Sequence, residues 1–124
     1  MKKQWRLRKR DYAGTHARRK AFRKFLLEVD GGERIDIHEL VFGELITNAV
    51  RHGDEPMSAQ VVVEDGVLLI ETENAGRCFE LERRLKQEPK TTSGRGLRIV
   101  RALADDLTVR FNGSRCRVTA SVRI

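Results

Sequence analysis

Apolar residues at helical spacing predict two successive helices in the first half of the chain. The first stripe begins at residue 15 or 16 and ends at the turn 30–32, where an aspartate precedes two glycines. The second stripe begins after Asp36, which is predicted to be the N-cap, with Glu39 in the capping-box position. This second helix is expected to end at Gly53. Each helix presents one apolar face, so both are expected to pack on a common core.

Alternating and β-branched runs predict five strands. In the first run, Trp5 and Leu7 share one face. The second and third runs are joined by Asp65-Gly66, a dipeptide that favours a tight hairpin. A closing hairpin is expected around Asn112-Gly113. The predicted strands are Gln4–Lys9, Ala59–Glu64, Val67–Glu73, Leu107–Phe111 and Arg117–Val122.

Between the central and closing hairpins the pattern loses its periodicity. Residues 77–93 are highly charged, which predicts a long, mobile loop with at most a turn or two of helix. The following residues, 93–106, predict a third helix that opens on two glycines and turns Leu97 and Val100 inward.

The order of these elements predicts the fold class. It is strand, helix, helix, two strands, loop, helix, two strands. Antiparallel hairpins with helices gathered on one face form an α+β two-layer sandwich. A chain of 124 residues is long enough for one such core. We therefore expect a single domain over residues 1–124, with a mixed, mostly antiparallel sheet and three helices on one face.

Composition narrows the class of protein. No apolar run approaches the roughly 20 residues of a membrane-spanning helix, and no apolar signal core follows the basic start, so a cytoplasmic protein is expected. Cys78 and Cys116 are far apart and in no metal-ligand spacing, which predicts two reduced thiols. A redox pair is the alternative, and no feature of the sequence supports it.

Charge is distributed unevenly along the chain. Residues 1–24 carry a net charge of +10, and the rest of the chain carries −3. Two interpretations stay open: a basic arm for nucleic acid or an acidic partner, or an exposed edge strand followed by a solvated helix face. The second is favoured, because most charge runs are solvated faces.

Three polar side chains fall on the inward arc of the second helix. At about 100° per residue, Glu44, Asn48 and His52 lie within the same arc as the apolar stripe. Burying unpaired polar groups is costly, so a polar ligand is expected to meet them. The carboxamide oxygen of Asn48 suits Mg²⁺, and Glu44, one turn earlier, can orient or deprotonate a hydroxyl. His52 is assigned a supporting role, since a cation near a helix C-terminus is favourable.

Two further features complete a candidate phosphate-ligand site. Asn74, which ends a core strand and is followed by Gly76, can hydrogen-bond the edge of a base. The run Gly94-Arg95-Gly96 stands at a helix start, where free backbone N–H groups and the helix dipole favour phosphate. Each signal alone is weak, and their order along the chain is the informative part.

With these features in this order, the chain resembles the GHKL ATPases, which share a histidine kinase-like ATPase domain. The resemblance rests on E-x-x-x-N-A-x-x-H from Glu44, N-x-G-x-C-F from Asn74 and G-x-G-L from Gly94. It spans nearly the whole chain. Within the family, the chain is most similar to the small anti-sigma-factor serine/threonine kinases of bacterial partner-switching systems. The resemblance implies that residues from about 75 to 96 form a lid over ATP.

The resemblance also implies a role for each motif residue. Asn48 matches the asparagine that coordinates Mg²⁺ between the phosphates of ATP, and Glu44 matches the general base. Asn74 stands where the family's adenine-reading aspartate usually stands, and Gly76 shapes the turn beside the base. The two lid glycines match the backbone that covers the phosphates. The cofactor-binding set implied in this way is Asn48, Asn74, Gly76, Gly94, Arg95, Gly96 and Leu97.

Partners are implied by the resemblance as well. A kinase of this kind phosphorylates a serine or threonine of a STAS-type anti-anti-sigma protein, binds a sigma factor and forms a homodimer. The alternative is a non-catalytic regulatory module that sequesters a sigma factor or another regulator through a degenerate nucleotide site. Three departures from the family pattern bear on this choice: Asn74 replaces an aspartate, Cys78 a glycine and Cys116 a frequent threonine. Direct nucleic-acid binding ranks last, because it does not explain the inward polar face of the second helix.

Overall fold

The computed structural model describes residues 1–10, 15–30, 32–87 and 96–124. Within these ranges it contains five strands and four helices, in the order that the hydrophobic pattern predicts except for one added short helix. The elements are β1 (Lys2–Leu7), α1 (Thr15–Asp30), α2 (Ile35–His52), β2 (Asp54–Glu64), β3 (Val67–Ala75), α3 (Leu81–Gln87), α4 (Gly96–Leu103), β4 (Asp106–Phe111) and β5 (Arg115–Arg123).

The five strands form one sheet in the order β1-β2-β3-β5-β4. Every strand pair in the described part of the chain is antiparallel, where the pattern had predicted a mixed, mostly antiparallel sheet. The turn between β2 and β3 has positive φ at Asp65 and Gly66, 52° and 74°, as a tight hairpin of this type requires. The predicted α+β two-layer fold is thus confirmed.

Helices α1, α2 and α4 cover one face of the sheet, and α2 lies between the other two. The stacked rings of Phe22 and Phe42, 4.3 Å apart between centroids, join α1 to α2. No described helix is both long and apolar enough to cross a membrane. Residues of α2 buried against its neighbours include Ile35, His38, Val41, Phe42, Leu45, Ile46, Ala49 and Val50.

The predicted capping box of α2 is wrong. Arg34 is the N-cap and makes no side-chain capping hydrogen bond, while Asp36 lies within the first turn. Glu39 instead accepts a hydrogen bond of 2.6 Å from Arg23 of α1. The Glu39 carboxylate therefore binds a side chain on the adjacent helix, and not the backbone N–H group that the capping-box motif predicts.

The charged segment after β3 contains the fourth helix, α3. Arg98 of α4 donates two hydrogen bonds, of 2.7 and 3.1 Å, to the carbonyl oxygen of buried Leu85. Arg101 of α4 also pairs with Glu82. Helix α3 is therefore docked on α4, and its two turns match the short helix allowed within the expected loop. Residues 88–95, which include the predicted site residues Gly94 and Arg95, lie outside the described residues.

The prediction of two reduced thiols is wrong, because Cys78 and Cys116 form a disulfide with an S–S distance of 2.09 Å. Cys116 lies opposite Asn74 in the β3–β5 ladder. After β3 the chain turns at Gly76, whose φ of 76° favours glycine, and brings Cys78 back toward β5. The two cysteines are 38 residues apart in the sequence, and the pairing of β3 with β5 brings them together. The spacing of cysteines in the sequence does not reveal this pairing.

Candidate functional site

A cavity of about 360 Å³ lies between the end of α2, the strands β3 and β5, and residues 77–84. Its volume is within the range of roughly 300–1,000 Å³ that small-molecule sites commonly have. The buried residues Thr72, Asn74 and Val118 contribute to its lining from the sheet. The full lining is Asn48, Ala49, Arg51, His52, Gly53, Thr72, Asn74, Arg77, Cys78, Phe79, Arg84 and Val118.

The carboxamide of Asn74 has a defined orientation. Its Nδ2 donates hydrogen bonds to the carbonyl oxygens of Ala75, at 2.9 Å, and Arg77, at 3.1 Å. These two carbonyl oxygens are acceptors, so the carboxamide group must turn its NH₂ toward them. If Oδ1 faced them, three acceptors would meet without a donor. No described residue donates a hydrogen bond to Oδ1, so this oxygen can accept one from a ligand in the cavity that Asn74 lines. An acceptor at this point selects an exocyclic amine, such as that of adenine, over a keto oxygen.

Gly53 also belongs to the site, although the sequence indicated only that α2 ends there. Its N–H donates to the carbonyl oxygen of Ala49 at 2.8 Å, which closes the helix. Its missing side chain leaves room for Asn74, whose Cγ would be 2.9 Å from a Cβ at position 53. No local signal distinguishes this glycine from an ordinary helix-ending glycine, since the contact comes from a strand further along the chain.

Asn48 and His52 differ in exposure. Asn48 is half-buried and lines the cavity, as the helical arc predicts. The inward placement of His52 is wrong, because its side chain is exposed at the cavity edge, at the last residue of α2. Partial burial, followed by the charges of Arg84 and Arg51, lowers the pKa of His52. This imidazole is therefore mostly neutral at neutral pH.

Arginines give the cavity a positive character. Arg51, Arg77 and Arg84 line it, and no carboxylate does so among the described residues. The guanidinium of Arg84 lies 4.2 Å from the ring centroid of Phe79, and its Nη1 is buried without a hydrogen-bond partner in the described part of the chain. Arg77 pairs with Asp54 at 3.3 Å and lowers the pKa of that carboxyl. Arg77 and Arg84 come from the charged run after β3, where an excess of arginines beside a strand end is visible in the sequence.

Glu44 belongs to α2, and its side chain lies beside Gly96, the first residue of α4. It does not line this cavity. Its side chain is half-buried, and its Oε2 would be 2.6 Å from a Cβ at Gly96. The lack of a side chain at position 96 thus lets the carboxylate approach the helix N-terminus, where a negative charge is favourable. The next residue of the predicted set, Leu97, is fully buried and packs in the core.

The described residues contain no group of three or more His, Cys, Asp or Glu side chains that could hold a metal ion. A cation site built from those side chains alone is therefore not formed by the described residues. Mg²⁺ commonly takes one or two protein ligands together with substrate phosphates. The carboxamide of Asn48, half-buried in a cavity bordered by arginines, fits that second kind of site.

Comparison with known proteins identifies similar sequences and folds. The sequence profile of the family described as histidine kinase-like ATPase domain matches residues 11–122. No curated protein matched the chain.

Two solved structures have a similar fold. One is the histidine kinase domain of the blue-light activated histidine kinase from Erythrobacter litoralis EL346, with 22% identity over 70% of this chain and a TM-score of 0.50. The other is the Acinetobacter baumannii histidine kinase AdeS, with 19% identity over 98% of this chain and a TM-score of 0.58. The matches cover 43% of the first structure's chain and 67% of the second. At these identities the likeness concerns the fold.

Proposed function

This chain belongs to the histidine kinase-like ATPase domain family, and from that premise we propose that the cavity lined by Asn74 binds ATP. The polarity of the cavity supports the proposal. The acceptor Oδ1 of Asn74 belongs to a buried side chain, and Arg51, Arg77 and Arg84 add positive charge to the lining. An adenine amine and a polyphosphate are the two ends of ATP that these groups complement.

Asn48 is the residue that would hold Mg²⁺ through its carboxamide oxygen. The cation, when bound, would neutralise charge on the phosphates and thereby support phosphoryl transfer. Arg77 and Arg84 would contribute further positive charge from residues 77–84, and Nη1 of Arg84 has no hydrogen-bond partner among the described residues. Gly76 shapes the turn beside the base, and the lid residues Gly94 and Arg95 are proposed to cover the phosphates.

The finer proposal is a serine/threonine protein kinase that acts as an anti-sigma factor. The hydroxyl of a STAS-type anti-anti-sigma protein would attack the γ-phosphorus of ATP, ADP would leave, and Glu44 would take up the hydroxyl proton. Two features support this role. Glu44 lies one helical turn before Asn48 on α2, and its side chain is half-buried. Binding of a sigma factor, a homodimeric state and a cytoplasmic location belong to the same proposal.

A second candidate function is a nucleotide-binding regulatory module that transfers no phosphate. One observation favours it: the carboxylate of Glu44 lies against Gly96 rather than in the cavity lining. The same fold would then bind a sigma factor or another regulator, with ATP as a structural ligand.

One experiment separates these functions. The protein is incubated with Mg²⁺, γ-labelled ATP and a purified STAS-type partner, and ATP affinity is measured in parallel. A kinase transfers label, and Glu44→Gln removes the transfer while ATP affinity stays within about twofold of wild type. Binding without transfer supports the regulatory module. Absence of ATP binding at millimolar concentration contradicts both functions.

A further inference from the structure

We propose that the Cys78–Cys116 disulfide is a redox-modification site that controls the nucleotide cavity. A dithiol reductant opens the bond and weakens ATP binding, and reoxidation restores it. The inference rests on the proposed ATP site, because the controlled property is affinity for ATP. It is carried by the position of the disulfide, which joins the wall of the cavity to the centre of the sheet.

Cys116 is the fixed end of the bond. Its side chain is 1% exposed, and its strand β5 lies between β3 and β4. On β3 it faces Asn74, and on β4 it faces Phe111. Because both neighbouring strands hold it, Cys116 keeps its position whether or not the disulfide is present.

Cys78 is the movable end. It belongs to residues 77–80, which form no helix or strand. Three consecutive residues here, Arg77, Cys78 and Phe79, line the cavity. The other ties described for Arg77 are weaker: one hydrogen bond from Asn74 and an ion pair with Asp54 in which the Arg77 side chain is 76% exposed. The disulfide is thus the covalent constraint on this wall.

The constraint extends to a phosphate-binding candidate on α3. Phe79 follows Cys78 directly and stacks against the guanidinium of Arg84 at 4.2 Å. Arg84 in turn lines the cavity, and its Nη1 has no hydrogen-bond partner in the part of the chain that the structure describes. Release of Cys78 therefore loosens Phe79 first and, through the stack, the position of Arg84. A less ordered wall binds ATP more weakly, since ordering it becomes part of the cost of binding.

The bond is accessible to a reductant from the side of Cys78. This residue is half-buried and also borders an open groove of about 780 Å³ beside β4. A thiolate of the dithiol attacks Sγ of Cys78, the S–S bond breaks, and Cys116 leaves as a thiolate that takes up a proton. The second thiol of the reductant then displaces Cys78 from the mixed disulfide. Two electrons pass to the protein, and the reductant becomes a disulfide.

The test compares ATP affinity of the whole chain in its oxidised, reduced and reoxidised states by calorimetry. Thiols are counted in each state, and the chain has only two cysteines. We expect no thiol and tight binding before reduction, two thiols and an affinity about tenfold lower after it, and recovery on reoxidation. The double variant Cys78→Ser/Cys116→Ser is expected to bind like the reduced protein and to ignore the reductant. If that variant does not fold, the ATP affinities of the oxidised, reduced and reoxidised wild-type protein are sufficient to test the proposal.

Two groups of outcomes would overturn the proposal in distinguishable ways. ATP binding of equal or greater strength in the reduced state refutes redox control and leaves the ATP site in place. Two free thiols before any reductant refute it as well. Absence of ATP binding in both states refutes the proposed function together with the inference.

Discussion

Gly53 lies directly against Asn74: a Cβ at position 53 would be 2.9 Å from both Cβ and Cγ of that side chain, and 2.7 Å from the carbonyl oxygen of Ala49. The backbone of Gly53, with φ of −83° and ψ of 170°, is open to any residue. Close approach, rather than backbone conformation, therefore requires glycine here. The end of α2 and the position on β3 that is proposed to contact the base are thus closely packed.

Gly53→Ala is expected to displace Asn74. Because the carbonyl oxygen of Ala49 is among the atoms that the new Cβ would meet, the clash cannot be relieved by a side-chain rotation alone. Overpacking of this kind costs about 1–3 kcal/mol of unfolding free energy. ATP affinity should fall as well. Urea denaturation and calorimetry measure the two effects.

Gly113→Ala is the matched control for that substitution. Nothing lies within 4 Å of a Cβ at position 113, but its φ is 96°. Backbone strain should cost about 1–2 kcal/mol without altering ATP affinity. Wild-type ATP affinity in Gly53→Ala would contradict the role given to the Gly53–Asn74 contact.

Gly96→Ala tests the role of Glu44. The new Cβ would be 2.6 Å from Oε2 of Glu44, the flexible end of a side chain, so the carboxylate should shift while the fold is kept. General-base contributions are commonly 10²–10⁴-fold, and a displaced base should slow phosphoryl transfer by about tenfold or more. In a Glu44→Gln background the same change should have little further effect. Wild-type transfer rates in Gly96→Ala would exclude this geometry for the base.

The lowered pKa of His52 predicts a pH dependence of stability. Partial burial of the imidazole, followed by the charges of Arg84 and Arg51, moves this pKa below its ordinary value of 6.5. The unfolded chain then takes up a proton at higher pH than the folded chain. The contribution of neutral His52 to the unfolding free energy is therefore fully present above about pH 6.5. It is lost as the pH falls from there to the pKa of His52 in the folded protein. The neutral variant His52→Gln should lose less unfolding free energy than wild type between about pH 7.5 and about pH 5. Equal losses in urea titrations of both proteins would refute the assignment.

The fold was predictable because local signals and tertiary structure agree. The Asp65-Gly66 turn joins β2 to β3, and apolar stripes cover the faces of α1 and α2 that pack in the core. The capping box predicted from Asp36 and Glu39 is absent, because Arg23 of α1 binds the Glu39 carboxylate. Local motifs carry no information about such a partner.

The candidate site was predictable where chemistry and local position coincide. Asn48 on an inward helical arc and Asn74 at a strand end both line the cavity. The pairing of Cys78 with Cys116 was not predictable, because it depends on the β3–β5 register. The contribution of Gly53 likewise needs the packing of α2 against β3. Arg84 enters the cavity through its stack on Phe79 and the docking of α3 on α4.

Asn74→Asp, which restores the residue usual in the family, is expected to weaken this protein. Nδ2 of Asn74 donates to the carbonyl oxygens of Ala75 and Arg77, and a carboxylate oxygen there would face two acceptors. Leaving buried polar groups without partners costs about 1–3 kcal/mol. Lower unfolding free energy and lower ATP affinity than wild type are expected. A tighter complex with ATP would show that the orientation given to the Asn74 carboxamide is wrong.

Binding of nucleotides measured by calorimetry tests the central claim most directly. The oxidised protein is titrated with ATP and with GTP in the presence of Mg²⁺, and Asn74→Leu is titrated under the same conditions. We predict that wild type binds ATP at least about tenfold more tightly than GTP, and that Asn74→Leu loses this preference. Equal affinity of wild type for the two nucleotides, or no binding of ATP at millimolar concentration, would contradict it.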